Sequence, residues 1–252
     1  MPVRGCVFLT LVLSWLSTLA LCQPVTEGLV SYWTFDSDHV MAGIVIDVWG
    51  GNDGSIVGEP ETVEGRNGDG LRFDGINDAV DCGTPQALTS ILDAVTLEAW
   101  VKDERDAGMV AGFSRAGNST WMMGMNGSGR VIFDLWDGTN QVWPDVSVAA
   151  VEAGEWRHVV GTYDGDTARI YIDGELDLVH AFPGDLVYNG ERFQIGRRGG
   201  GDQSLKFAID DLRVYNRALD EADIQQNLTA TSLTARPAEK LSVSWAHLKR
   251  GP

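Results

Sequence analysis

From residue 28 to about residue 215 the chain is a succession of short stretches in which apolar and polar residues alternate. Within 95–102, Val95, Leu97, Ala99 and Val101 are apolar, and a period of two places them on one face of a strand. Within 130–137, Val131, Phe133 and Leu135 point one way and Ile132, Asp134 and Trp136 the other. The clearest unit is 156–172: a strand over 156–163, a turn at Asp164-Gly165-Asp166 and a return strand over 168–172, with Asp173-Gly174 turning the chain again. Further Asp-Gly pairs stand at 53–54, 69–70, 74–75 and 137–138, and such pairs accept the positive φ of tight reversals. Many short strands with no helical period between them predict an all-β, two-sheet antiparallel β-sandwich of the jelly-roll kind. One short C-terminal helix is expected over 216–227, where Ala218, Leu219, Ala222 and Ile224 recur at helical spacing behind Asp220 and Glu221.

The first 22 residues break this pattern. Arg4 precedes a nearly continuous apolar run from Cys6 to Leu21, short for a spanning helix and right for a secretory signal peptide ending beside Cys22. A lipid anchor on Cys22 is the lesser alternative, because Leu21 is large where a lipobox has a small residue. Residues 23–230 then form one domain, and 231–252 a tail with a small apolar group, Leu241, Val243 and Trp245. Loss of the leader leaves Cys82 alone, so no internal disulfide forms and Cys82 is expected as a small buried apolar group. The chain carries 36 acidic against 19 basic residues, a net charge of −17. Such a surface repels nucleic-acid phosphates and anionic membranes, which removes both as partners and suits a secreted, extracellular protein.

Several segments in order carry a family resemblance. They are 28–36, the Asp- and Gly-rich 47–54, Gly70-Leu71-Arg72-Phe73-Asp74-Gly75 with its continuation to Val80, 96–101, the hairpin over 155–174, 193–196 and the closing 209–219. Together they resemble the laminin-G-like jelly roll of the concanavalin A-like lectin/glucanase superfamily over 28–228. The resemblance implies the fold directly. As function it implies a non-catalytic module that recognises a polysaccharide or a glycoprotein glycan, and fold alone does not fix which. It further implies a structural calcium where the first and last strands meet; carried over residue by residue, its ligands are Asp36, Asp53 and Asp210. Trp49-Gly50-Gly51 departs from the family's usual Ser-Gly-Asn in the loop that leads to Asp53.

Sugar binding needs a flat apolar group against the ring and fixed amides or carboxylates for the hydroxyls. Trp121, Asp134, Trp136, Asn140, Gln141 and Trp143 supply these types within 121–143, though any one of the tryptophans taken singly reads more readily as core. Arg197 and Arg198, ahead of Gly199-Gly200-Gly201, occupy a loop able to close over a ligand. The superfamily also holds glucanases, which need paired carboxylates. The nearest string, Glu221-Ala222-Asp223, falls on the expected helix and reads as a solvated face, so no enzyme is expected. His158 reads as a strand histidine, and no zinc spacing occurs. Sequons stand at Asn118, Asn126 and Asn227. Two alternatives stay open: an extracellular protein-interaction domain using Trp245, and a divergent glycoside hydrolase.

Overall fold

The structure, a computed structural model, describes residues 23–115, 118–141, 146–199 and 204–231. Residues 1–22, expected as a signal peptide, Trp143 and the tail beyond Thr231 lie outside the described residues. The N-terminal strands are β1 (Leu29–Trp33), β2 (Val40–Met41), β3 (Ile44–Val45), β4 (Gly54–Val57), β5 (Glu61–Glu64), β6 (Asp69–Asp74) and β7 (Ala79–Gly83). A single-turn helix α1 (Gln86–Thr89) precedes β8 (Val95–Asp103), β9 (Gly108–Arg115), β10 (Asn118–Met125), β11 (Arg130–Leu135) and β12 (Val146–Ala150). Then come β13 (Trp156–Tyr163), β14 (Thr167–Ile172), β15 (Glu175–Ala181), β16 (Phe193–Ile195), β17 (Lys206–Tyr215) and α2 (Glu221–Thr229). The hairpin expected over 156–172 is β13–β14, and Asp173 and Gly174 both adopt positive φ in the turn that follows.

These strands build two antiparallel sheets. The first runs β15-β14-β13-β8-β17-β6-β5, with β1 also on β17; the second runs β12-β11-β10-β9-β16-β7-β4-β3-β2. Alternation fixes which rows face inward. Across the second sheet, Phe133, Met123, Ala111, Ile195, Val80 and Ile56 pair in one row, and all are apolar and packed into the inter-sheet core. From the first sheet Val95, Leu97, Ala99 and Val101 meet them, as their spacing predicts. Cys82 packs against the same core.

The outward face of the first sheet is also covered. Val25, Leu29, Trp49, Leu219 and Ile224 cluster over Tyr32, Val160, Tyr171 and Tyr215. Beneath them lies a fully buried polar network. Arg213 donates to Glu98 (2.7 Å) and to the Tyr32 hydroxyl (3.1 Å), and His158 Nε2 stands 3.2 Å from Glu98 Oε1. Asn227 of α2 donates to Glu98 (2.7 Å) and to Tyr215 (2.9 Å) and accepts from the Val25 N–H (2.7 Å). The helix begins at Glu221, later than its periodicity predicts. Residues ahead of it are held by tertiary bonds: Asn216 N–H on Gly28 and Leu219 N–H on Thr96. Asp220 then caps the helix reciprocally with Asp223. Among the described residues no helix is long and apolar enough to cross a membrane.

Candidate functional site

With the first sheet roofed by the N-terminal segment and α2, the outward face of the second sheet carries the candidate site. The row next to the apolar one reads Asp134, Met122, Gly112, Gln194, Asp81 and Ser55 across β11, β10, β9, β16, β7 and β4. Residues directly opposite one another share a face, so this polar row is fixed by the same register that makes its neighbour core. Gly112 has φ 142°, and a Cβ there would fall 2.5 Å from Met122 Cα, so only glycine lets β9 and β10 approach this closely.

Asp134 is 2% exposed. Its Oδ2 accepts from Gln141 Nε2 at 2.6 Å, and the adjacent Ser119 hydroxyl is shared with Ser114 at 2.8 Å. Burial pushes the Asp134 carboxyl up to about 7, against the pull of Ser119, Gln141 and the Arg198 guanidinium. A group this covered positions its neighbours rather than meeting a ligand. Gln141, Arg198 and Trp136 above it are half-buried, and Trp136 bridges to Gln141. Asn140 is exposed and held by Asp137 through its N–H (2.6 Å) and its amide (2.8 Å). Arg197 is half-buried, bridges to Ser204 and has a buried Nε without a hydrogen-bond partner among the described residues.

Trp121 is corrected. It is 0% exposed in the inter-sheet core, edge-on to Phe113 at 5.0 Å, with its indole N–H on the Ile91 carbonyl at 3.0 Å. It is a packing residue. Trp143 lies outside the described residues.

Sequence reasoning missed the apolar side of this face. Met109, Met122 and Ile132 form a separate cluster there, with Val146 packed on it. A cavity of about 240 Å³ is lined by Ala107, Gly108, Met109, Met122, Met125, Asn126, Ile132 and Arg198. The signal was weak: 121–125 reads Trp-Met-Met-Gly-Met, with no polar residue to mark a face. A larger basin of about 480 Å³ lies by Gly58, Glu59, Asp74, Asn77 and Asp78. Its Asp78 and Asp74 are spent on backbone N–H groups of Glu59, Asp74, Ile76 and Asn77.

The three expected calcium ligands do not assemble as a set. β17 pairs with β6 through Ile209 and with β1 from Leu212 onward, so Asp210 and Asp211 occupy the gap between those two partners. Asp210 Oδ2 accepts from the N–H groups of Arg66 (2.7 Å) and Asn67 (2.8 Å), and Asp36 Oδ1 accepts from that of Asp69 (3.0 Å), so both grip one turn. Asp53 instead caps the Asp47 N–H at 2.9 Å. Asp210 Oδ1 is buried without a partner, and burial together with Asp211 raises its carboxyl to about 8. Phe35 and Asp211, beside them, hold positive φ of 60° and 50°. Among the described residues, Asp36, Asp38 and His39 bring ligand atoms within 4.8 Å of one another.

Solved structures of similar fold include the binding domain of Paraclostridial mosquitocidal protein 1 (TM-score 0.63, 14% identity, 80% of this chain and 52% of that one). Trypanosoma rangeli sialidase with the inhibitor DANA matches at TM-score 0.59 and 19% identity, over 83% of this chain and 35% of the sialidase. Domain 4 of AbnA, a GH43 extracellular arabinanase from Geobacillus stearothermophilus in complex with arabinotriose, matches at 0.60 and 16%, over 79% and 98%. The chain thus spans about half of the first of these and about a third of the second. No curated protein sequence matches it. The family model for laminin-G-type domains matches residues 74–225, and the chain belongs to the concanavalin A-like lectin/glucanases superfamily.

Proposed function

We propose that the protein is a secreted, non-catalytic carbohydrate-binding module whose ligand lies on the outward face of the second sheet. The observation that carries this is the polar row through Asp134 on the face that α2 leaves uncovered, with Gln141, Arg198 and Trp136 half-exposed around it. A buried carboxylate that fixes an amide, beside a cation and an indole, supplies the donors and the flat apolar surface a sugar needs. The arabinotriose complex of the similar arabinanase domain supports the same class of ligand. Binding rather than hydrolysis fits the spacing of the acids. The other carboxylate in the row, Asp81, is held by Arg192 at 2.8 Å and lies four strands from Asp134. Four strand spacings are roughly 19 Å, against the roughly 5–9.5 Å a glycosidase pair spans.

A structural calcium belongs to the same proposal, narrowed to Asp36 and Asp210. The unpartnered Asp210 Oδ1 is the support for it, since a hard cation satisfies such an oxygen. Asp53, spent on Asp47, is left out. One experiment tests both: glycan-array binding by residues 23–252 with calcium and with chelator, alongside thermal melts. Expected are selective binding, lost in Trp136→Ala and Arg198→Ala, and a melting temperature raised by calcium in the wild type but not in Asp210→Asn. A melting temperature indifferent to calcium would leave Asp36 and Asp210 as anchors of the 65–69 turn. A silent array from a folded protein would favour the protein-partner reading, which has its own observation. Val148 (65% exposed), Leu176 (46%) and Val179 (54%) sit on adjoining edge strands, where Asp177 accepts from the Ala149 N–H.

A further inference from the structure

Resting on the reading of this face as the glycan site, we infer that its ligand is a sugar unit bearing a methyl-terminated substituent, an acetamido group or the methyl of a deoxy sugar, seated in the cavity over Met109, Met122 and Ile132. The cavity joins the polar site through two of its lining residues. Met122 pairs directly with Asp134 across β10 and β11, and Arg198 lines the cavity while acting on the Asp134 carboxyl. A ligand bonded to Arg198 therefore has its next atoms over the cavity.

The lining sets the chemistry of what enters. Among the described residues its side chains are mainly Met109, Met122, Met125 and Ile132, none of them aromatic. A sugar ring prefers a flat aromatic face; flexible thioethers instead mould to an irregular apolar group. Hydroxyls placed over Met109, Met122 and Ile132 would lose water without finding partners there, which is costly, whereas a methyl gains by leaving water. The volume, about 240 Å³, is below the roughly 300–1,000 Å³ of pockets that enclose a whole drug-sized ligand. It suits one substituted unit and not a run of a polysaccharide. The polar lining fits the same ligand: Arg198 is at hand for a ring hydroxyl or an amide carbonyl.

The test compares matched sugars on the wild type: N-acetylglucosamine with glucose, and L-fucose with L-galactose, each as the terminal unit of an immobilised glycan and then by titration. The methyl-bearing member of at least one pair should bind roughly tenfold more tightly, the discrimination that one buried methyl-sized group gives. Which pair responds separates the acetamido from the deoxy source. In Met122→Gln, which keeps side-chain length and adds an amide, the preference should fall to near parity, and a preference kept at the wild-type ratio would overturn the inference. Equal binding within both pairs overturns this inference and leaves the glycan reading standing. Absence of binding to every glycan by a protein that melts cooperatively overturns both.

Discussion

At the scale of single residues, Asp134 decides most. Its carboxyl is raised from 3.8 to about 7 because the fold buries it and offers too little in return. The folded state therefore holds this proton when the unfolded chain has released it, so stability falls as pH rises from about 4 to about 7 and is level above that. Asp134→Asn keeps an acceptor for Gln141 and removes the charge. The variant should match the wild type near pH 4 and exceed it by roughly 2–4 kcal/mol at pH 8. Denaturation curves of both proteins at the two pH values check this, and equal stability at pH 8 would show Asp134 ionised there without strain. Strand parity made this residue's side legible, since Asp134 alternates with Phe133 and Leu135. Its burial was not legible, because parity names a face without naming what lies over it. Trp121 failed for the opposite reason: Met122, Met123, Gly124 and Met125 follow it, so on that side no alternation separates core from surface.

At the scale of elements, the strands were written plainly and the closing helix was not. The β13–β14 hairpin follows from alternation and turn chemistry, both local properties. The start of α2 depends instead on Thr96, which accepts from the Leu219 N–H and donates to the Arg217 carbonyl, across more than a hundred residues of sequence. The other end of the helix is the more strongly fastened. Asn227 is 0% exposed and joins the N-terminal segment, β8 and β17 through three bonds. That also closes its sequon to a glycan in the folded protein. Asn227→Ala should cost about 2–4 kcal/mol, since it takes the partner from Glu98 Oε2 and from the Val25 N–H, whereas Asp220→Ala, a lost cap, should cost about 1. Urea denaturation of the two variants gives the order directly. A larger loss in Asp220→Ala would place the fastening at the cap.

At the scale of the molecule, the two outward faces are used differently, and acid stability separates them. In the sequence Glu98 and Arg213 stand between apolar residues, and nothing local says what covers them. In the structure both are 0% exposed, because the segment from Val25, Trp49 and α2 close over them. Burial by itself would raise the Glu98 carboxyl, but His158, Arg213 and Asn227 hold it down to about 2. Since the folded value lies below the unfolded one near 4.5, the unfolded chain takes up the proton first as pH falls. The stabilisation is thus complete above about 4.5 and is lost towards about 2, roughly 3 kcal/mol in all. Glu98→Gln should remove that acid limb. At pH 7 it should also cost about 3–5 kcal/mol, because Arg213 then loses one of its two buried anions and keeps only Asp211, 3.2 Å away. A solvated pair would cost less than about 1 kcal/mol. Denaturant titrations of wild type and Glu98→Gln between pH 2 and 7 distinguish the two. A variant that stays within 1 kcal/mol of wild type at pH 7 would mean that the first sheet's outward face is open to water, and the second sheet would lose its standing as the face set apart for a ligand.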